Sequence, residues 1–309
     1  MLSRVGERIY WSARYLERVE NTARLVGVYA HLLFDLPSGV NISWYNLVEL
    51  NGSTEAFDQR YLKRDERNVV KFILSDDINP SSLLSSLRMV RENLRTTRDV
   101  VPNECWELIN ELSIYANKEI QQGINRRQRY TFLEEIIRGC QQMNGRLAGT
   151  MSHDAAWALL RIGRDLERAD MTTRILDAGC TALQQQDTGM ADTIEQVVWG
   201  NVLRSLSAYL PYRRAMRVAV SGPEVVSFLI GDPHFPRTVA YNLAQLRDAA
   251  AQLPNNGVVI SELTQMEARA LARLAPQDLG EPFRAYINEL QLAIAGLHHR
   301  IAGCWFTSD

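Results

Sequence analysis

Two short stretches concentrate the side chains that could do chemistry. Residues 14–25 read RYLERVENTARL and residues 164–175 read RDLERADMTTRI. Arg14, Leu16, Glu17, Arg18, Thr22 and Arg24 recur as Arg164, Leu166, Glu167, Arg168, Thr172 and Arg174, and Glu20 is answered by Asp170. Agreement at half of the positions marks a true internal repeat. Guanidinium forks suit bidentate contacts to carboxylate or phosphate, and paired carboxylates can receive an amine or a metal ion. The chemistry on offer is therefore anion or zwitterion binding, metal binding, or an ion-pair network that only holds structure.

On a helix, Leu16, Val19, Ala23 and Val26 share one face, while Arg14, Glu17, Asn21 and Arg24 cluster on the other. Glu20 with Arg24 and Asp170 with Arg174 are acid-then-base pairs four residues apart. A solvated face tolerates almost any mixture of charges, so the same types kept twice imply that their geometry is used. A pseudo-twofold arrangement would bring the two copies to one groove. On that reading Arg14, Glu17, Arg18, Glu20, Arg24, Arg164, Glu167, Arg168, Asp170 and Arg174 are candidate ligand-binding residues; the alternative is a structural network. A metal centre is the weakest option, because ferritin-like sites add Glu-x-x-His on two helices. That spacing is missing here, interleaved arginines repel cations, and no metal ligand is assigned.

Other clusters are less specific. Arg88, Arg91, Arg95 and Arg98 recur at helical spacing as an anion-binding stripe or a solvated face, and Arg213, Arg214 and Arg217 are similar. In Phe235-Pro236-Arg237-Thr238 a helix starts, so Arg237 joins the candidate ligand-binding set; the plainer role is a helix-start device with Phe235 as staple. Among the histidines, His153 beside Asp154 is the one worth testing as an acid or base. P-loop, GxGxxG, GxSxG and HExxH patterns are all missing, so no catalytic residue or cofactor is assigned.

These residues need helices to hold them, and helical periodicity dominates the chain without sustained two-residue alternation. Helices are expected from Ser3 to Phe34, ended by Leu36-Pro37-Ser38-Gly39, and from an Asn79-Pro80-Ser81 start to Arg98. Others are expected over 104–117, 126–146 and Ser152 to Gln185, with Thr188-Gly189 closing the last. Residues 41–66 read as short helices and loop. Helix with a kink at Pro211 should fill 190–219, Ser221-Gly-Pro-Glu224 reads as a capping box, and Asp232–Pro236 as a rigid turn. Helices over 237–252, 258–274 and 282–302 complete an all-α multi-helix bundle with an internal pseudo-duplication of the Glu-Arg helix, expected as a single domain over residues 1–309.

With 309 residues and 46% hydrophobic content the chain can fill a sizeable core. A net charge of −2 offers no global field for nucleic acid or an anionic membrane. Of 34 basic residues only Lys63, Lys71 and Lys118 are lysine. Cys105, Cys140, Cys180 and Cys304 lie far apart, as reduced packing thiols would. Neither a secretory h-region nor a spanning apolar run is present, which makes the cytoplasm the expected location.

The opening MLSRVGERIYWSARYLERVENTARL, the central LLRIGRDLERADMTTRILD and VSFLIGDPHFPRTVAYNL (226–243) together resemble the Alpha-E family, a helical domain with a Glu-Arg motif, over essentially the whole chain. The resemblance implies no reaction of the domain's own. It implies association with circularly permuted ATP-grasp proteins, adjacent or fused, and with transglutaminase-like proteins. The expected role is that of an accessory protein that presents a small anionic, zwitterionic or peptide ligand for ATP-dependent amide- or peptide-bond formation. A scaffold without ligand chemistry is the alternative, and a carboxylate-metal enzyme a further one.

Overall fold

The computed structural model describes residues 3–35, 43–184, 191–271 and 279–306, and among these every regular element is an α-helix. The first seven are α1 (Ser3–Asp35), α2 (Asn46–Leu50), α3 (Thr54–Arg60), α4 (Glu66–Ser75), α5 (Leu83–Arg95), α6 (Asn103–Ile124) and α7 (Arg129–Thr150). The second seven are α8 (Ala155–Gln184), α9 (Ala191–Ser205), α10 (Tyr209–Met216), α11 (Gly222–Gly231), α12 (Val239–Ala250), α13 (Gly257–Leu271) and α14 (Glu281–Trp305). The stops expected at Leu36–Gly39 and Thr188-Gly189 lie outside the described residues.

Capping chemistry shifts several boundaries. Asn79 Oδ1 accepts the Ser81 N–H in a tight turn, so Pro80 precedes α5 and Ser82 caps it by accepting the Ser85 N–H. The other end of α5 comes earlier than Arg98, where the Thr96 and Thr97 hydroxyls donate to the Asn93 carbonyl. The 190–219 segment breaks at Ser207, whose φ is 54°, and not at Pro211. Pro211 falls in the first turn of α10, where its missing N–H leaves no helical bond unmade. Ser221 makes no side-chain cap; the Gly222 N–H donates instead to Glu195 Oε1 at 3.0 Å.

The repeat runs far beyond the Glu-Arg helix. Val69, Val70, Phe72, Asp76 and Pro80 reappear at the same spacing as Val225, Val226, Phe228, Asp232 and Pro236. Geometry repeats with them: Asp76 and Asp232 end α4 and α11 in extended conformation, and their Oδ1 atoms accept the Ile78 and His234 N–H groups. Thr238 then caps α12 as Ser82 caps α5. After α2 and α9, matching Ser53-to-Val48 and Ala208-to-Leu203 backbone bonds close turns around Gly52 and Ser207, both at positive φ. Buried Cys105, Ile109, Leu112 and Ala116 of α6 keep the spacing of Val259, Leu263, Met266 and Ala270 in α13. Likewise Phe132, Leu133, Ile136, Cys140, Met143 and Leu147 of α7 match Tyr286, Ile287, Leu290, Ile294, Leu297 and Ile301 of α14. Among the described residues the helices thus fall into two halves of seven, α1–α7 and α8–α14.

The first helix of each half forms the central pair. Helix α5 and helix α7 cover α1, α12 and α14 cover α8, and each half reaches across, α9 onto α1 and α2 onto α8. Along the pair, Gly163 lies under Tyr10 and Ala13, and Glu167 lies beside Arg14 and Arg18. Contacts advance together, so the helices run parallel with the pseudo-twofold axis along their common direction. Ala13 and Gly163 are equivalent positions that meet at the closest approach, and a Cβ on Gly163 would overlap the Tyr10 carbonyl oxygen. Gly163→Ala is expected to lower unfolding free energy by about 2 kcal/mol or more, as overpacking against backbone does. Gly145→Ala, in α7 with open space around it, should raise stability by ~0.5–1 kcal/mol. Urea melts of the two variants check both signs.

Candidate functional site

The face of α1 that looks solvent-facing on a helical wheel is turned to α8 instead. Glu17, Glu20 and Asn21 are as buried as Leu16 and Val19 on the opposite face. Glu167 and Thr172 are equally enclosed in α8. Two polar faces have been packed against each other, and their charges pair across the axis.

The pairing is reciprocal. Arg18 donates to Glu167 through Nε (2.7 Å) and Nη2 (3.1 Å), while Arg168 Nε forms a 2.9 Å ion pair with Glu17 Oε2, less well aligned for a hydrogen bond. Exchange of i-to-j and j-to-i contacts is what a twofold relation demands. The second cation on each carboxylate breaks the symmetry. Glu167 takes Arg14 Nε at 2.8 Å, but Arg164 turns to Asp165, a residue that replaces Tyr15 of the first copy. Its place at Glu17 is filled by Arg237, from the turn before α12, which donates to Glu17 at 2.9 Å, to Glu20 at 2.9 Å and to Asn21. The Arg237 backbone is fixed by Thr172, whose hydroxyl meets the Arg168 and Arg237 carbonyls at 2.9 Å each.

Burial pushes the Glu167 carboxyl upward, but Arg18 and Arg14 outweigh it and hold the group at about 2. Glu17 is opposed by burial in the same way and is lowered by Arg168 and Arg237. A carboxyl with a depressed folded-state pKa contributes stability above its unfolded value, lost as pH falls. Unfolding free energy should therefore drop as pH falls from 4.5, the ordinary value, toward about 2. In Glu167→Gln that slope flattens, which pH-dependent urea midpoints will show. At neutral pH Glu167→Ala, leaving Arg14 and Arg18 without their carboxylate, should cost about 3–5 kcal/mol.

Beyond this lock Arg24 and Arg174 reach toward the other half. Arg24 donates to Glu20 (2.7 Å) and to Ser207 Oγ (2.8 Å), while its counterpart Arg174 donates to Asp170 (2.8 Å) and, at 3.4 Å, to the Leu50 carbonyl. Both arginines thus tie their helix to the turn ending α9 or α2 of the other half. Their surroundings differ. Arg174 is the most exposed candidate, at 34% of its side chain, and it lines a cleft of about 470 Å³ with Glu49, Asp177, Arg284 and Gln291. Arg284 reaches Asp177 at 3.3 Å. In α1 and α7 of the first half Gly27, Tyr130 and Ile137 stand in place of Asp177, Arg284 and Gln291, whereas Arg24 matches Arg174 and Arg204 of α9 matches Glu49 of α2.

Several neighbours escaped a reading by sequence spacing. Arg14 Nη1 donates to the Tyr10 hydroxyl at 3.3 Å, and that hydroxyl bonds His298 Nδ1 at 2.8 Å. Burial lifts Tyr10 to about 12, and burial with Arg14 nearby lowers His298 to about 4. The ties of Asn21, Ser207 and His298 to the motif are tertiary, and no local pattern announces them. His153 stacks on Trp157, and Asp154 Oδ1 accepts the Ala156 N–H, so that pair starts α8. Of the arginine stripe, Arg95 bonds Glu92, Arg98 lies over Trp106, and Arg88 and Arg91 line a separate cleft. Among the described residues no three His, Cys, Asp or Glu side chains gather as metal ligands. Glu17, Glu20 and Glu167 spend their oxygens on guanidiniums, which does not fit a metal centre.

Residues 1–306 match a family described as a predicted α-helical domain with a conserved ER motif. The chain belongs to the Alpha-E family. Glu17-Arg18 and Glu167-Arg168 are Glu-Arg dipeptides of this chain, and these four residues pair across the axis. Uncharacterised proteins of Mycobacterium bovis and Mycobacterium tuberculosis are 25% identical in an alignment of 320 positions that covers 96% of this chain and 35% of each relative. The chain therefore spans about a third of the length of the curated relatives it matches. No solved structure matches it. Among the described residues no helix is long and apolar enough to cross a membrane.

Proposed function

We propose that the chain is a ligand-presenting helical domain in which the cleft at Arg174 holds a small zwitterion or a peptide terminus. The observation that carries this reading is the set of opposed charges there. Arg174 and Arg284 offer guanidinium forks to a carboxylate, and Glu49 and Asp177 offer carboxylates to an amine, in a volume of about 470 Å³, within the ordinary range for small-ligand sites. The buried Glu17–Arg168 and Glu167–Arg18 pairs hold α8 in place and so aim Arg174. A ligase of the ATP-grasp type, adjacent or fused, would supply the ATP-dependent amide-bond chemistry. Family resemblance supports that partner, and the extra length of the relatives leaves room for further domains.

A dipeptide such as alanyl-alanine, titrated by calorimetry, is expected to bind saturably, with acetate and ethylamine alone far weaker. Arg174→Ala combined with Arg284→Ala should weaken binding by about tenfold or more, ~1.4 kcal/mol or above, with the melting cooperativity retained. Purification from the native host should bring down an ATP-dependent ligase. Unchanged dipeptide affinity in a folded double variant would sink the reading. A second reading, a scaffold with no ligand, draws on the burial and mutual neutralisation of Glu17, Glu167, Arg18 and Arg168, and that outcome would favour it.

A further inference from the structure

We propose a second ligand site, independent of the Arg174 cleft, that takes a phosphoryl group between α5 and α6. The cleft there has a volume of about 800 Å³, and Arg88, Arg91 and Lys118 line it with Ser85, Ser113 and Asn117. Three cations face one carboxylate, Asp77 at the rim. Arg91 is steadied by Asn110, which accepts its Nε at 2.8 Å, leaving the fork's outer nitrogens toward Glu92 and the cleft. Arg88 makes no ion pair among the described residues, and Lys118 has Glu119 at 3.5 Å.

The other half shows what this place looks like when it is closed. Arg247 is the counterpart of Arg91, and its Nη1 is bound to Glu267 of α13 at 2.6 Å. In the register of the buried α6 and α13 positions, Ser113 stands where α13 has Glu267. Tyr241 stands for Ser85, and Ala244 for Arg88. The first half therefore has small hydroxyl residues where the second has a neutralising carboxylate and a bulky ring, and it adds a cation where the second has a methyl group. Open space, hydroxyl donors and unneutralised guanidinium are the requirements of a phosphate-type anion. Arginine forks bind its oxygens in pairs, and lysine adds a point charge. The ligand class is a phosphate ester or an inorganic polyphosphate.

Calorimetric titration of the intact chain with pyrophosphate at physiological ionic strength, repeated with AMP, tests the site and tells inorganic from esterified phosphate by which binds tighter. Saturable one-to-one binding is expected, weakened about tenfold by Arg88→Ala or Lys118→Ala. Ser113→Glu, which rebuilds the carboxylate of the other half against Arg91, should abolish it. If that variant fails to fold, the exposed Arg88→Ala carries the test. Arg174→Ala must leave pyrophosphate binding unchanged, which separates this site from the dipeptide cleft. No saturable heat with either probe, folded variants binding like wild type, or loss on Arg174→Ala would overturn the proposal.

Discussion

Glu17 and Glu167 sit at the junction of two parallel helices, enclosed on all sides, where a lone carboxylate would take up a proton sooner than remain charged. Each is matched by two guanidiniums, and the rest of the structure is arranged around that requirement. Neither α1 nor α8 can supply the match alone, because within one helix a glutamate and the arginine next to it point in different directions. The pairs close only when a second copy lies alongside. Burying ion pairs contributes little net stability, but removing one partner is costly, so such a lock specifies one register of the central pair more than it strengthens it.

From the lock outward, each layer follows. The Ala13–Gly163 contact lets the backbones approach closely enough for Arg18 and Arg168 to reach across. Arg24 and Arg174 extend the pairing to the turns after α9 and α2, so each half grips the other's second helix. Arg237 brings the α11–α12 turn to the same centre and fixes α12 on α8. Apolar packing of α5, α7, α12 and α14 then shields the charges and sets the low dielectric that makes their pairing necessary.

A duplicated bundle also supplies its own comparison. Positions that stay alike in both halves, such as the Asp76 and Asp232 turns or the Ser82 and Thr238 caps, serve folding in each. Positions that differ are free of that shared duty. Asp177, Arg284 and Gln291 of the Arg174 cleft have Gly27, Tyr130 and Ile137 as counterparts, and the basic cleft at Arg88 has Ala244 and the Arg247–Glu267 bridge as its counterpart. The shared core, by contrast, has its buried carboxylates already engaged by guanidiniums.

Helix class, the repeated Glu-Arg segment and the places of the long helices were legible from sequence, since periodicity, caps and turn residues act over a few neighbours, but α4 was not expected and α6 runs past residue 117 to Ile124. The wider repeat was also written there, in Val69-Val70-x-Phe72 and Val225-Val226-x-Phe228, though too weakly to stand out without the matching turns. What the polar face of α1 meets could not be read, because a helical wheel shows which residues share a side and not what lies against it. The same limit hid the roles of Arg237, Ser207 and His298, each brought in from a distant segment, and the bond that Asn21 makes to Arg237. By itself the sequence determined two like helices with the charges to neutralise one another. Only the tertiary structure decided that those charges are buried together while Arg174 and Arg88 look into open clefts, because pairing depends on which surfaces the whole chain packs face to face.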